Sequence, residues 1–140
     1  MNIENIIKNL EITNIKRSLN SCRENIKKLN LEVFELEKEK KKTAEQLKAK
    51  ESVVRKAIHL EPDYGSNKRK YSNDALRDAE FISRSAMDPE IAKLRGNFLS
   101  LMENIFYKKI LIEVDAEHNK ELLLDYQMAI SLIPCFIEKT

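Results

Sequence analysis

Three groups of side chains in this sequence have types and spacings that chemistry could use. The first lies in "YGSNKRKYSNDALRDAE", residues 64–80, where Lys68, Arg69 and Lys70 stand in a row behind Gly65 and lead into Tyr71 and Asn73. Clustered cations beside an aromatic ring grip phosphate backbones or acidic protein surfaces. The second is "EVDAEHNKE", in which Asp115, His118 and Glu121 recur at every third residue and roughly share a helix face. Di-iron bundles need an acid-x-x-His on two helices with further carboxylates. The other histidine, His59, has Lys56 three residues before it, so half of that constellation is missing. The third group is Cys22 and Cys135, which form no C-x-x-C pair and have no adjacent basic partner to activate a thiolate.

No G-x-x-x-x-G-K-[ST] or G-x-G-x-x-G phosphate loop occurs. The expectation is a non-enzymatic chain with no catalytic residues, no cofactor and no metal. A lysine-rich run, "EKEKKKTAEQLKAK", has two readings. Lys38, Lys40, Lys41 and Lys42 suit an anion-binding stripe. The interleaved Glu37, Glu39 and Glu45 favour instead a solvated segment whose lysine stems lie over the seam.

Composition bounds what must position these groups. Two Gly and three Pro in 140 residues are too few for the turns of a sandwich or barrel, and 34% charged residues with many Leu, Ile, Lys and Glu suit long helices. A formal charge of +2 gives no whole-protein field toward nucleic acid or membrane. The first twenty residues lack the apolar core of a signal peptide, and no apolar run reaches the roughly 20 residues that span a bilayer. The expected setting is a reducing cytoplasm, with no membrane partner.

Apolar residues from Ile12 to Ala57 fall in heptads. The a positions are 12, 19, 26, 33, 40, 47 and 54, the d positions 15, 22, 29, 36, 43, 50 and 57, and the seam weakens at "EKEKKKT". This predicts a long helix over 13–60, with residues 1–12 an N-terminal segment in which 3–10 either continue the helix or form a separate amphipathic turn. Pro62, Asp63, Gly65 and Ser66 predict a basic loop over 61–72. Ser72 or Asn73 caps a short helix over 74–87, and Asp88 and Pro89 open a second long helix over 88–133 that Pro134 ends, leaving 134–140 as a tail. The seam of that helix reads Ile91, Leu94, Phe98, Leu101 and Ile105, blurs through Ile110 to Val114, and resumes at Leu122, Leu123, Tyr126, Ile130 and Ile133.

Two long helices of matched length predict an all-α fold, a single helical domain over 1–140 built as an antiparallel coiled-coil-like hairpin with a short helix at the connection. If His59 lies near Pro89, Cys22 is level with residue 127, about 12 Å along the helix from Cys135 and out of disulfide reach. Lys40 is then level with Lys108 and Lys109. Phe106, Leu111, Leu124 and Met128 lie off the seam and imply a second buried face, hence a homodimer or larger bundle.

The pattern G-x-x-K-x-K-Y-S-N-x-x-x-R-x-x-E, read from Gly65 to Glu80, resembles small helical proteins encoded by bacteriophages and prophages of Gram-positive bacteria. Gly65, Lys68, Lys70, Tyr71, Ser72, Asn73, Arg77 and Glu80 carry the likeness, followed by Asp88 and Leu94, and it extends over residues 65–129. Where that family ends in an Arg-rich stretch, this chain has Glu121 and Asp125. The resemblance implies an accessory role in a bacterial host cytoplasm: binding a host or phage protein, as an inhibitor of a nuclease or defence system, or assisting DNA transactions. The residues expected to meet a partner are Lys68, Arg69, Lys70, Tyr71, Asn73, Arg77 and Arg84. Three partners stay open: a protein, DNA or RNA, or, for a structural spacer, none beyond a second copy.

Overall fold

The computed structural model describes the backbone of residues 2–63 and 68–138 and the side chains as far as Leu132. Among the described residues it is all-α. The elements are α1 (Ile3–Leu60), α2 (Asp74–Met87) and α3 (Pro89–Glu138), with no strand beyond an isolated bridge between Pro62 and Arg69. None of the helices is long and apolar enough to cross a membrane. Gly65 and Ser66, expected in the turn, and the side chains of Ile133 and Cys135 lie outside the described residues.

Local chemistry explains each break. Residues 3–10 continue α1, because nothing between Ile3 and Leu60 removes a backbone donor or favours a turn. Helix α1 stops two residues before Pro62. Asn73 caps α2, its Oδ1 accepting from the Leu76 N–H at 2.8 Å. Asp88 closes one helix and opens the next. Its N–H donates to the Arg84 carbonyl at 3.0 Å, while its carboxylate accepts from the N–H groups of Glu90 at 2.9 Å and Ile91 at 3.3 Å. Pro89 follows in the first helical position, where its missing N–H costs nothing.

The far end of α3 departs from expectation. The helix does not stop at Pro134 but runs to Glu138. A proline inside a helix lacks the N–H that would bond the carbonyl four residues back, and here that loss does not end the helix.

The chain divides into two compact units, each built from stretches of both long helices. Unit 1 comprises residues 1–34 and 106–140, and unit 2 residues 35–105. In unit 2 the best-buried side chains are Ile58, Ser85, Ile91 and Ile105, followed by Phe81. Lys50 is ion-paired with Glu90 and Glu51 accepts from Arg95 at 3.1 Å, so α3 starts level with Lys50. The last turns of α1 are covered instead by α2, where Arg55 meets Asp78 at 3.5 Å and lies 3.7 Å over the Phe81 ring. That docking corrects the expected register, which set His59 beside Pro89.

In unit 1 Leu19 and Cys22 are buried, and the Cys22 thiol donates to the Asp115 carbonyl at 3.0 Å. Cys22 is therefore level with Asp115 rather than residue 127. Lys108 reaches Glu32 at 2.7 Å rather than standing level with Lys40. As α1 advances from Cys22 to Glu32, α3 recedes from Asp115 to Lys108, so these stretches run antiparallel.

The α1 heptads hold through Leu47, and then the covered positions move from Lys50 and Ala57, both exposed, to Glu51 and Ile58. A straight helix repeats its face every 18 residues rather than every seven, and Ile58 stands 18 residues after the half-buried Lys40. On α3 the apparent blur is a regular seam occupied by polar residues. Lys108, Ile112, Asp115, Asn119, Leu122, Tyr126 and Ala129 are all half-buried at alternating steps of four and three, while Leu123 and Ile130 face outward. The second apolar face is exposed in the isolated chain at Phe106, Leu124 and Met128, and half-buried at Leu111.

Two stability outcomes follow from these positions. Gly96 is helical and exposed, and a Cβ there would meet nothing within 4 Å. Gly96→Ala should therefore raise stability by about 0.5–1 kcal/mol, seen in thermal melts as a gain of roughly 2–4 °C. Ile58→Ala, at a side chain 1% exposed, should lower it by about 2–5 kcal/mol in urea titrations.

Candidate functional site

The residues singled out at the connection come together at one end of unit 2, where the last turn of α1, residues 61–63 and 68–73, and the start of α2 meet. The backbone there is tied down by two hydrogen bonds, which together set Pro62 opposite Arg69. Asp63 N–H donates to the Lys68 carbonyl at 3.1 Å, and Lys70 N–H donates to the Glu61 carbonyl at 3.0 Å.

Arg84 organises the side chains. Its Nε donates to Glu80 Oε1 at 2.7 Å, one helical turn back, and its Nη2 donates to Glu61 Oε2 beyond the end of α1. The guanidinium lies 5.8 Å from the centroid of the half-buried Tyr71 ring. Planar guanidinium suits this role because its fixed fork serves two carboxylates and an aromatic at once. The hydrogen bonds from Glu80 and then Glu61 push its pKa further up, and Arg84 in turn holds the Glu61 carboxyl below its ordinary value of 4.5.

Other members of the expected set have internal partners too. Arg77 is ion-paired with Asp74 and donates to the Tyr71 carbonyl at 3.3 Å. Lys70 lies 3.6 Å from Glu61 and 5.5 Å from the Tyr71 ring centroid, and Tyr71 first, then Glu61, raise its pKa. Arg69 approaches His59 Nε2 at 2.6 Å. Asn73 is the cap of α2. Lys68, Arg69 and Lys70 remain exposed, whereas Tyr71, Arg77 and Arg84 are half-buried.

Between α1 and α2 lies an open groove of about 460 Å³, lined by Arg55, Lys56, His59, Asp74, Arg77 and Asp78 among others. Both signs of charge line it, with Arg55, Lys56 and Arg77 beside Asp74 and Asp78.

Sequence reasoning found the cations and missed their partners. The Glu80–Arg84 and Asp74–Arg77 spacings of four and three on one helix were available as a signal. Glu61, 23 residues from Arg84, was not. Elsewhere, Asp115, His118 and Glu121 line one shallow surface with Glu113 and Glu117, but no group of three or more ligands that could hold a metal ion exists among the described residues. The lysine run is tied to its own acids, with Lys40 3.3 Å from Glu37 and Lys38 3.9 Å from Glu35. Burial, and secondarily the neighbouring Asp115, push the Cys22 thiol above its ordinary pKa of 9.0, the opposite of what a nucleophile needs.

The lowered pKa of Glu61 fixes a pH dependence. A depressed carboxylate contributes stability above its unfolded value, and that contribution is lost as pH falls from about 4.5 through the lower folded value. Glu61→Gln lacks it at every pH, so its melting temperature should fall less than that of the parent chain between about pH 5 and pH 3. Equal acid sensitivity of the two chains would contradict the Arg84–Glu61 contact. Comparison with known proteins returned no match for this chain among family models, curated proteins or solved structures.

Proposed function

We propose that this chain is a non-enzymatic interaction protein that acts through protein–protein contact. In this reading it is an antiparallel helical hairpin that carries α2 at its connection and self-associates through its outer helix faces. The observation that carries the proposal is the state of the cations at the connection. Arg84, Arg77 and Lys70 have carboxylate partners within the chain, which lowers their capacity to neutralise phosphates. Many large apolar side chains, Leu31, Phe106, Leu124 and Met128 among them, stand exposed, as protein-binding surfaces require. The phage resemblance of residues 65–80 supplies a context, with a host nuclease or defence enzyme as the class of target.

The alternative is a nucleic-acid-binding accessory protein that uses Lys68, Arg69 and Lys70, which are exposed. Fluorescence anisotropy with labelled DNA and RNA at low salt separates the two. A protein-binding chain should give no saturable signal, and Lys68→Ala/Arg69→Ala/Lys70→Ala should change nothing in that assay. Binding that weakens steeply with salt, with a shallower salt slope in the triple variant, would establish the alternative.

A further inference from the structure

Unit 1 carries two outer surfaces of opposite character, one on each long helix. On α3, Phe106, Ile110 and Val114 are exposed at steps of four, and Leu124, Met128 and Leu132 repeat them 18 residues later, about five turns on and so at the same angle. Both triplets lie roughly half a turn from the half-buried seam at Lys108, Asp115 and Asn119. Beside and between the triplets the exposed charges on this side are Glu113, Glu117 and Glu121 with Lys120, a net of −2 with His118 neutral.

The outer face of α1 has the same plan with the sign reversed. Ile3, Ile7 and Leu10 are exposed opposite the seam, and Leu31 is exposed at the other end. Between them, Arg17, Lys27 and Lys28 with Glu24 stand away from the seam, a net of +2, and Lys16 and Arg23 flank it. All five cations are exposed, and so are the acids of the α3 stretch other than Asp115.

The two patterns also stand at matching levels. The contacts of Cys22 with Asp115 and Glu32 with Lys108 set the scale. On that scale Leu31 is level with Phe106, Arg17 with Glu121, and Leu10 with Met128. Because each face points away from the other helix of its own unit, the two cannot meet within one copy.

Resting on the reading of the chain as an interaction protein, we infer that the occupant of the outer α1 face is the outer α3 face of a second copy, in the register that unit 1 already uses. Charge selects this pairing. Joining α1 to α1 would set cations against cations, and joining α3 to α3 would set acids against acids. The apolar ends supply area: about ten exposed side chains at on the order of 100 Å² each give roughly 1,000 Å², which with the charged centre reaches the about 1,200–2,000 Å² of stable interfaces. The contact is heterologous, so a pair of copies keeps one unused face of each kind, and growth continues into a closed ring or an open filament.

The test uses the full-length chain, treated with nuclease, in sedimentation velocity and light scattering at low and high salt. Circular dichroism checks that each variant keeps its helix content. The parent chain should form species larger than one copy, less so at high salt. Arg17→Glu/Lys28→Glu, on α1 alone, and Glu113→Lys/Glu121→Lys, on α3 alone, should each weaken association at least tenfold. The chain that carries all four substitutions has acidic α1 and basic α3 faces and should associate again.

A monomeric parent chain overturns the inference. So does association that nuclease abolishes, or that either single-face variant leaves unchanged, or that the fourfold variant fails to restore. A monomer that also binds no DNA or RNA would sink this contact while leaving the protein-binding function in place.

Discussion

One guanidinium decides how unit 2 is arranged. Arg84 joins the end of α1, through Glu61, to the body of α2, through Glu80, and presses against Tyr71 in the segment between them. With Arg55 over Phe81 it holds α2 against the last turns of α1. Asp88 separates the two helices by one residue, so α3 must begin where α2 ends, level with Lys50. Replacing this charge by a lysine would keep the sign and lose the fork, which is why the contact is specific to arginine. Arg84, Arg77 and Lys70 each stand within a few ångströms of a carboxylate, which offsets their field.

The breaks between elements were legible in the sequence because each is a local matter. Pro62, Asn73 and the Asp88–Pro89 pair act on donors and acceptors within four residues, and α2 has the expected bounds. The register of α3 on α1 was not legible, because it depends on where α2 docks, and that rests on pairs such as Arg55–Asp78, 23 residues apart. The seam of α3 was obscured for another reason. Lys108, Asp115 and Asn119 occupy covered positions, and a reading that equates coverage with apolar character passes over them. At the connection the carboxylates that pair with Arg77 and Arg84 were visible in the sequence only where they share a helix, as Asp74 and Glu80 do and Glu61 does not.

Coverage and hydrophobicity part company in a second way, and this bears on function. Helix α3 has apolar residues both on its seam and on the opposite face, a distribution expected of a helix with neighbours on two sides. The groove at the α1–α2 junction is open and lined by charges. On the proposed reading, binding belongs to helix faces, with rows of side chains at steps of three and four for affinity and the charges between them for selectivity.

Polar residues in the unit 1 seam give that arrangement its uniqueness. A seam of leucine and isoleucine alone would tolerate sliding by one heptad, since every apolar contact would find an equivalent. Lys108 in its place meets Glu32 at 2.7 Å, and the carboxyl of Glu32 lies below its ordinary pKa chiefly because of that hydrogen bond. Sliding one heptad toward the start of α1 would set Lys108 against Asn25 and leave the Glu32 charge without its partner. Cys22 adds a directional contact, its thiol on the Asp115 carbonyl, that an isoleucine could not make. The weakness of the apolar seam between Lys108 and Asn119 is thus the feature that fixes the level of one helix on the other, and with it the level at which the acidic stretch of α3 stands beside the basic stretch of α1.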